Sequence, residues 1–136
     1  MADVPTEVAA LLRARASTRI AIVGAGRDPS KYGNIITRDL VRCGYTVLPV
    51  HPSEATVEGL AAYPRVGAVP GPVHIVNFVV PPKVTLAVLH ELVPIDPPCV
   101  WFQPGAFDAA CVQFARGRFR IVMEGDCIMV VARWYA

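Results

Sequence analysis

Lysine is nearly missing from this chain of 136 residues: two lysines stand beside eleven arginines and eleven acids, for a net charge of +2. The arginines are scattered from Arg13 to Arg133, so the clustered basic stripe of a dedicated nucleic-acid binder is absent. Charged residues of both signs make up only 18% of the chain. No apolar run reaches the ~18 residues that a membrane span needs. The opening MADVPTEVAALLRARAS lacks the basic start and long apolar stretch of a signal peptide, so a cytoplasmic location is expected. Cysteines occur without any CxxC pair. The gaps between Cys43, Cys99, Cys111 and Cys127 are 56, 12 and 16 residues and fit no common zinc pattern. Buried free thiols are the expectation for all four, since cysteine packs as a small apolar residue.

What the chain has instead is apolar bulk and proline. Hydrophobic residues reach 54%, which excludes intrinsic disorder. The length suits one ordinary domain over 1–136, able to bury roughly two-thirds of its unfolded surface without disulfides or metal. The 13 prolines amount to roughly twice the usual share, and Pro29, Pro49, Pro52, Pro81, Pro82 and Pro104 fall near the ends of candidate strands.

Those strands are read from continuous apolar runs rather than alternating ones, as expected for strands buried on both faces. They are 19–24, 46–50, 74–80, 99–103 and 120–123. Helices are expected between them. One covers 5–16, with Val8, Leu11 and Leu12 on one face. Another covers 32–43, with Ile36, Leu40 and Cys43 inward and Gly44 as the stop. A third runs from Pro81-Pro82 to about Val93, with Val84, Val88, Leu89 and Leu92 inward. A fourth covers 106–116, with Phe107, Ala110, Cys111, Phe114 and Ala115 on one face. Residues 53–72 read as loop with a short helical turn around 56–62, and 127–131 as a short strand or final turn. Strict alternation of strand and helix predicts a Rossmann-like, doubly wound α/β domain with about five parallel strands and helices on both faces.

Ligands of such sheets bind beyond the carboxyl ends of the strands. The first end carries Gly24-Ala-Gly-Arg-Asp-Pro-Ser-Lys-Tyr-Gly33. Gly24 and Gly26 permit a tight turn and a close backbone approach, and the helix that follows offers free N–H groups and a positive dipole end, which suit a pyrophosphate. Arg27 and Lys31 add charge. Two further absences argue against a nicotinamide dinucleotide. The third glycine of GxGxxG would stand at position 29, which is Pro29, and the next glycine is Gly33. The second strand ends in Val50-His51-Pro52, without the Asp or Glu that meets the ribose hydroxyls. His51 is placed to stack on or hydrogen-bond a nucleotide, or to serve as an ordinary rim histidine.

These segments carry a resemblance. Gly24-Ala-Gly with Lys31-Tyr-Gly-Asn34, then Gly44-Tyr-x-Val-x-Pro-Val-His-Pro52, Val76-Asn-Phe-Val-Val-Pro-Pro-Lys-Val-Thr85, Val100-Trp-Phe-Gln-Pro-Gly105 and Asp126-Cys-Ile-Met129 together resemble the small stand-alone CoA-binding proteins, which are similar to the CoA-binding domain of succinyl-CoA ligases. The resemblance implies a Rossmann-like domain that holds the nucleotide end of coenzyme A or an acyl-CoA. Carried over position by position, it implies that Gly24, Ala25, Gly26 and Arg27 wrap the diphosphate with Lys31 and Tyr32 beside it. Pro49, His51 and Pro52 would flank the adenosine. Val79, Val80 and Pro81 would line the third strand's rim, and Gln103, Pro104 and Gly105 the fourth's. The chain departs from many relatives in having Gly26-Arg27 where they carry a serine, and His51 where they carry Asn.

Catalytic candidates are few. His51 and Cys127 are expected at the same strand-end edge. Carboxylates of the Glu124-Gly-Asp126 turn near Cys127 would raise its pKa rather than activate it. His74 and His90 read as structural or solvent-facing. The expected function is non-catalytic CoA binding. The alternatives are a nucleotide or NAD(H)-binding sensor module, and a CoA-dependent enzyme component that needs an acyl-CoA-metabolising partner protein. A homodimer would cover exposed apolar surface.

Overall fold

Runs such as Ile20-Ala-Ile-Val23 have no polar face to offer, and the fold covers both faces. In the computed structural model, which describes residues 4–135, strands β1 (Arg19–Val23), β2 (Thr46–Val50), β5 (Ile75–Phe78), β6 (Cys99–Phe102) and β7 (Ile121–Glu124) form one sheet. Residues 1–3 and 136 of the expected 1–136 domain lie outside the described residues. The strand order is β2-β1-β5-β6-β7 and every pairing is parallel, with Val23 opposite both Val50 and Phe78. The expected doubly wound architecture is therefore present.

Alternate side chains of the strands feed two cores. Ala21, Val23, Val76, Phe78, Val100 and Phe102 pack with Leu89 and Leu92 of α3 (Pro82–Leu92) and with Cys111 and Ala115 of α4 (Ala109–Arg116). Ile20, Ile22, Ile75, Trp101 and Met123 pack with α1 (Thr6–Arg13), α2 (Tyr32–Arg42) and α5 (Ile128–Arg133) on the other face. Phe78 and Phe102 sit side by side with ring centroids 5.5 Å apart. Losing either ring would cost about 3–5 kcal/mol by the usual price of an aromatic-sized cavity.

Local chemistry sets the boundaries. Helix α2 stops in a Schellman motif, with Gly44 at φ +96° and N–H bonds from Gly44 to the Val41 carbonyl and from Tyr45 to the Leu40 carbonyl. Helix α4 starts at Ala109 rather than 106, because Asp108 caps it by accepting from the Cys111 N–H at 3.1 Å. Pro49 lies within β2, an edge strand. Its carbonyl and the His51 N–H both face outward to Tyr63, so the missing proline N–H interrupts no bond to β1.

Four expectations need correction. Residues 56–62 form no helical turn but a hairpin of β3 (Thr56–Val57) and β4 (Leu60–Ala61). Glu58 and Gly59 between them both have positive φ, the hallmark of a two-residue hairpin turn, and Glu-Gly is a weaker cue for it than Asn-Gly. Within 127–131, Cys127 takes the N-cap position and 128–131 belong to helix α5, whose Ile128, Val131 and Ala132 bury a helical stripe. In α3 the buried stripe is Thr85, Leu89 and Leu92, while Val84 is 44% exposed and Val88 only partly buried. Thr85 tolerates burial because its hydroxyl donates to the Val80 carbonyl. Ala110, placed inward on α4, is exposed.

Helix α2 leaves the sheet on one face and α3 on the other, so the chain diverges between β1 and β5. That is the switch point at which a crevice opens beyond the strand ends.

Candidate functional site

The glycine loop after β1 is held from below by close packing. Gly24 has φ +105°, and a Cβ there would lie 2.8 Å from Val80 Cγ1. At Gly33, on the first turn of α2, a Cβ would lie 2.1 Å from the Gly24 carbonyl oxygen. Gly33 thus gives the close helix-to-strand packing that the usual fingerprint assigns to its third glycine, displaced along a longer loop. Gly26 differs: a Cβ there would meet only the His51 ring, at an ordinary 3.5 Å. The fold does not demand glycine at that position.

Side chains fix the loop from its flanks. Asn34 is fully buried; its Nδ2 donates to the Gly26 carbonyl at 2.9 Å and to Glu58 Oε2 at 3.1 Å, and its Oδ1 accepts from Arg38 Nε at 2.7 Å. Arg38 also donates to the Pro29 carbonyl at 2.9 Å. The Ser30 hydroxyl and N–H both donate to Asp28, at 2.7 and 2.9 Å, and hold its carboxyl below the ordinary value. Within the described residues the N–H groups of Tyr32 and Gly33, at the start of α2, have no backbone partner.

Two adjoining cavities lie along this edge. One, of about 330 Å³, is lined by Gly24, Gly26, Arg27, Asp28, Lys31, Tyr32, Gly33, His51 and Val79. The other, of about 470 Å³, is walled by Val79, Val80, Pro81, Pro82, Pro104, Gly105 and Ala106, with Gln103 and Cys127. Tyr32, 66% exposed, and Val79 belong to both, so the pair forms one groove with a polar and an apolar compartment.

In the polar compartment Arg27 is already engaged, with Glu54 at 2.6 Å and with the carbonyl and hydroxyl of Thr56 at 2.9 and 2.8 Å. It clips the glycine loop to the hairpin. Lys31 makes no ion pair among the described residues. His51 Nδ1 accepts from the N–H groups of Ser53 and Glu54, at 3.1 and 3.2 Å, which assigns the ring proton to Nε2 on the edge beside Gly26.

The apolar compartment is built to repel charge. Pro81 and Pro82 open α3, so its first turn lacks two of the N–H groups that a helix start usually presents. Gln103-Pro-Gly-Ala106 is a tight turn, with Gly105 at φ +87° and a 2.9 Å bond from the Ala106 N–H to the Gln103 carbonyl. The Gln103 side chain is anchored. Its Oε1 accepts from the Ile128 N–H at 2.7 Å and from Asn77 Nδ2 at 3.1 Å, and its Nε2 donates to Cys127 Sγ at 3.2 Å. Trp101 holds the neighbouring segment by donating from its indole to the Asp126 carbonyl at 2.8 Å.

Twelve of the fifteen residues singled out from the sequence therefore line the groove. Ala25 is buried in the core beneath it, Pro49 is buried within β2 and Pro52 is exposed; none of the three lines either cavity. His51 and Cys127 share the edge but lie in different compartments. His74 accepts from the Arg19 N–H at 2.9 Å, and His90 packs on Phe114 with centroids 4.2 Å apart. Burial pushes the Cys99 thiol up to about 12. Glu124 pairs with Arg116 at 3.0 Å. Asn34 and Asn77 were not singled out. Their signal was a polar residue inside an otherwise apolar strand or at the start of a helix, where an amide must find partners. Among the described residues no three His, Cys, Asp or Glu side chains gather to hold a metal, and no helix is long and apolar enough to cross a membrane.

Known proteins resemble this chain. A family model described as CoA binding domain matches residues 18–133. A conserved hypothetical protein from Pyrococcus furiosus is 43% identical and superposes with a TM-score of 0.79, over 84% of this chain and 98% of its own. A 73-residue stretch, 53% of this chain, is 38% identical to the ADP-forming acetate–CoA ligase II subunit alpha of the same organism, of which it spans 16%. Acetyl-coenzyme A synthetase 1 of Ca. Korarchaeum cryptofilum is 28% identical with a TM-score of 0.70, over 82% of this chain and 26% of that one.

Proposed function

This chain belongs to the CoA-binding domain family, and on that premise we propose that it binds coenzyme A or an acyl-CoA as a single unit, with the diphosphate in the polar compartment and the pantetheine arm in the apolar one. The observation that carries the reading is the two-part groove. A ligand that fills it has a compact anionic head joined to a long uncharged arm. The Tyr32 and Gly33 N–H groups, the α2 dipole and Lys31 meet the diphosphate. His51 Nε2 supplies a donor where a dinucleotide-binding fold carries a carboxylate, so the ribose of NAD(H) lacks its usual acceptor. Two synthetases whose names mention acetate–CoA ligation or acetyl-coenzyme A contain a similar segment, which supports an acyl-CoA context.

The groove pairs no acid with a base. Cys127 is met by an amide rather than by a histidine, so the protein acts as a holder of CoA, and any acyl transfer is done by a partner protein. Calorimetric titration with CoA, acetyl-CoA, ADP and NADH tests the reading. CoA and acetyl-CoA should bind, ADP more weakly, and NADH should not displace CoA. Absence of heat with millimolar CoA and acetyl-CoA would overturn it. Gly26→Glu sets a carboxylate against the diphosphate and should abolish binding while the thermal melt stays near that of the unaltered chain.

A further inference from the structure

Gln103 is 4% exposed and stands at the boundary between the apolar compartment and the core. Which way its amide faces is settled by its neighbours. A backbone N–H, that of Ile128, can bond only to the oxygen end, at 2.7 Å, and Asn77 Nδ2 donates to the same oxygen at 3.1 Å. The nitrogen end must therefore face Cys127, which also lines the cavity. This arrangement is costly. Asn77 Oδ1 is buried without a partner, in a layer that is otherwise packed with Ile22, Ile75 and Trp101. An apolar side chain at position 77 would avoid that cost. What the network produces is a donor of fixed direction on the wall of an apolar cavity.

The donor is poorly matched inside the protein. Among the described residues its acceptor is a thiol sulfur at 3.2 Å, and sulfur accepts weakly. A carbonyl oxygen would satisfy it better, and the surrounding walls are valine, proline, glycine and alanine, with the Tyr32 hydroxyl on the side shared with the polar compartment. We propose that Gln103 is the specificity-determining residue of the apolar compartment: its Nε2 donates to a carbonyl on the uncharged arm of the ligand, so the pocket recognises an amide or thioester rather than any apolar chain. Asn77 is the positioning residue that helps keep Gln103 in that orientation. The inference rests on the reading of the groove as a CoA site, and it names which part of that ligand is read.

Gln103→Glu tests it. Glutamate keeps the oxygen that Ile128 and Asn77 need and replaces the donor with an acceptor. Affinity for acetyl-CoA should fall by about 3- to 10-fold, the worth of one neutral hydrogen bond, while ADP, which has no arm, binds as before. If CoA and acetyl-CoA weaken together, the carbonyl is an amide of the arm. If acetyl-CoA alone weakens, it is the thioester. Either result supports the proposal. Parallel loss of ADP affinity would mean that Gln103 only holds the fold, and affinities for CoA and acetyl-CoA that both stay unchanged would mean that nothing is read; each overturns it. NMR on the unaltered protein gives a second measurement that needs no variant. The Gln103 side-chain amide protons should shift downfield with acetyl-CoA and stay put with ADP, and no shift with bound acetyl-CoA rejects the proposal. A wild-type chain that binds no CoA at all removes the parent reading along with this one.

Discussion

Replacing Gly33 by alanine asks whether α2 is seated on the glycine loop as closely as the structure has it. The added Cβ would lie 2.1 Å from the Gly24 carbonyl oxygen, 2.9 Å from the Gly24 carbonyl carbon and 3.1 Å from the Ala25 Cα, whereas Cβ contacts below 3.0 Å essentially do not occur. All three neighbours are backbone atoms, so no side chain can swing aside, and helix and loop must separate. Overpacking of this kind costs typically about 1–3 kcal/mol, and a wholly backbone clash belongs toward the upper end. Against it stands the gain from replacing glycine in a helix, about 1 kcal/mol at most and less in a first turn. A net loss of about 2 kcal/mol follows. For a domain of this size that corresponds to a fall in Tm of about 6–10 °C. Calorimetry and urea unfolding should agree, with the urea midpoint lowered and the slope unchanged. Ligand affinity should fall as well, since the displaced atoms carry the loop. A Gly33→Ala protein that melts within about 2 °C of wild type would show that the helix does not rest on the loop and would remove the support for the diphosphate site.

Gly26→Ala should behave in the opposite way. Its Cβ makes only a 3.5 Å contact with His51, so the melt should move by less than about 0.5 kcal/mol equivalent while CoA affinity drops as the methyl enters the polar compartment; retained affinity would place the ligand elsewhere. Asp28 loses its proton more readily in the folded chain than its ordinary 3.8 allows, because Ser30 donates to it twice. Ionised Asp28 therefore stabilises the loop above about pH 3.8, and that contribution disappears only as pH falls through the lower folded value. An acid titration followed at the Ser30 amide by NMR should show a midpoint below 3.8. The Cys99 thiol, held up at about 12 by burial, should resist iodoacetamide at neutral pH while the half-buried Cys43 and Cys127 react first, as peptide mass spectrometry can report. Between pH 9 and 12 the unfolded thiol ionises and the folded one does not, so stability should decline across that window.

The elements that could be read in advance are those whose pattern follows from burial alone. The five strands are apolar on both faces because two helical layers cover them, and no other arrangement of Ile20-Ala-Ile-Val23 or Cys99-Val-Trp-Phe102 hides both faces so simply. What escaped was set by particular contacts. The hairpin at 56–61 depends on a positive φ at Glu58, which is not written in its side chain. The inward stripe of α3 runs through Thr85, which a hydrophobicity pattern passes over in favour of Val84. The role of Gly33 depends on where the Gly24 carbonyl lies in space, and counting glycines along the chain places the third one at the wrong residue. Proline positions pointed to the strand ends, yet only Pro81, Pro82 and Pro104 line the groove; Pro49 and Pro52 shape the edge without facing it. Proline marks where backbone leaves a ladder, and which way its ring faces is a tertiary matter.

Two helix starts face the same groove, and they are opposite in character. Helix α2 begins after Lys31 with Tyr32 and Gly33, whose unpaired N–H groups, together with the lysine, make that end attractive to an anion. Helix α3 begins with Pro81 and Pro82, which have no N–H to give, so the second dipole end lies behind apolar rings. A ligand with charge at both ends would have to set one of them against prolines, valines and a single amide. A ligand with charge at one end fits in one direction only. The orientation of any bound molecule is thus decided before a specific contact is made, by where the backbone keeps its donors and where proline has removed them. Gln103 can then act as a reader of the arm because the head has already been sorted to the other side.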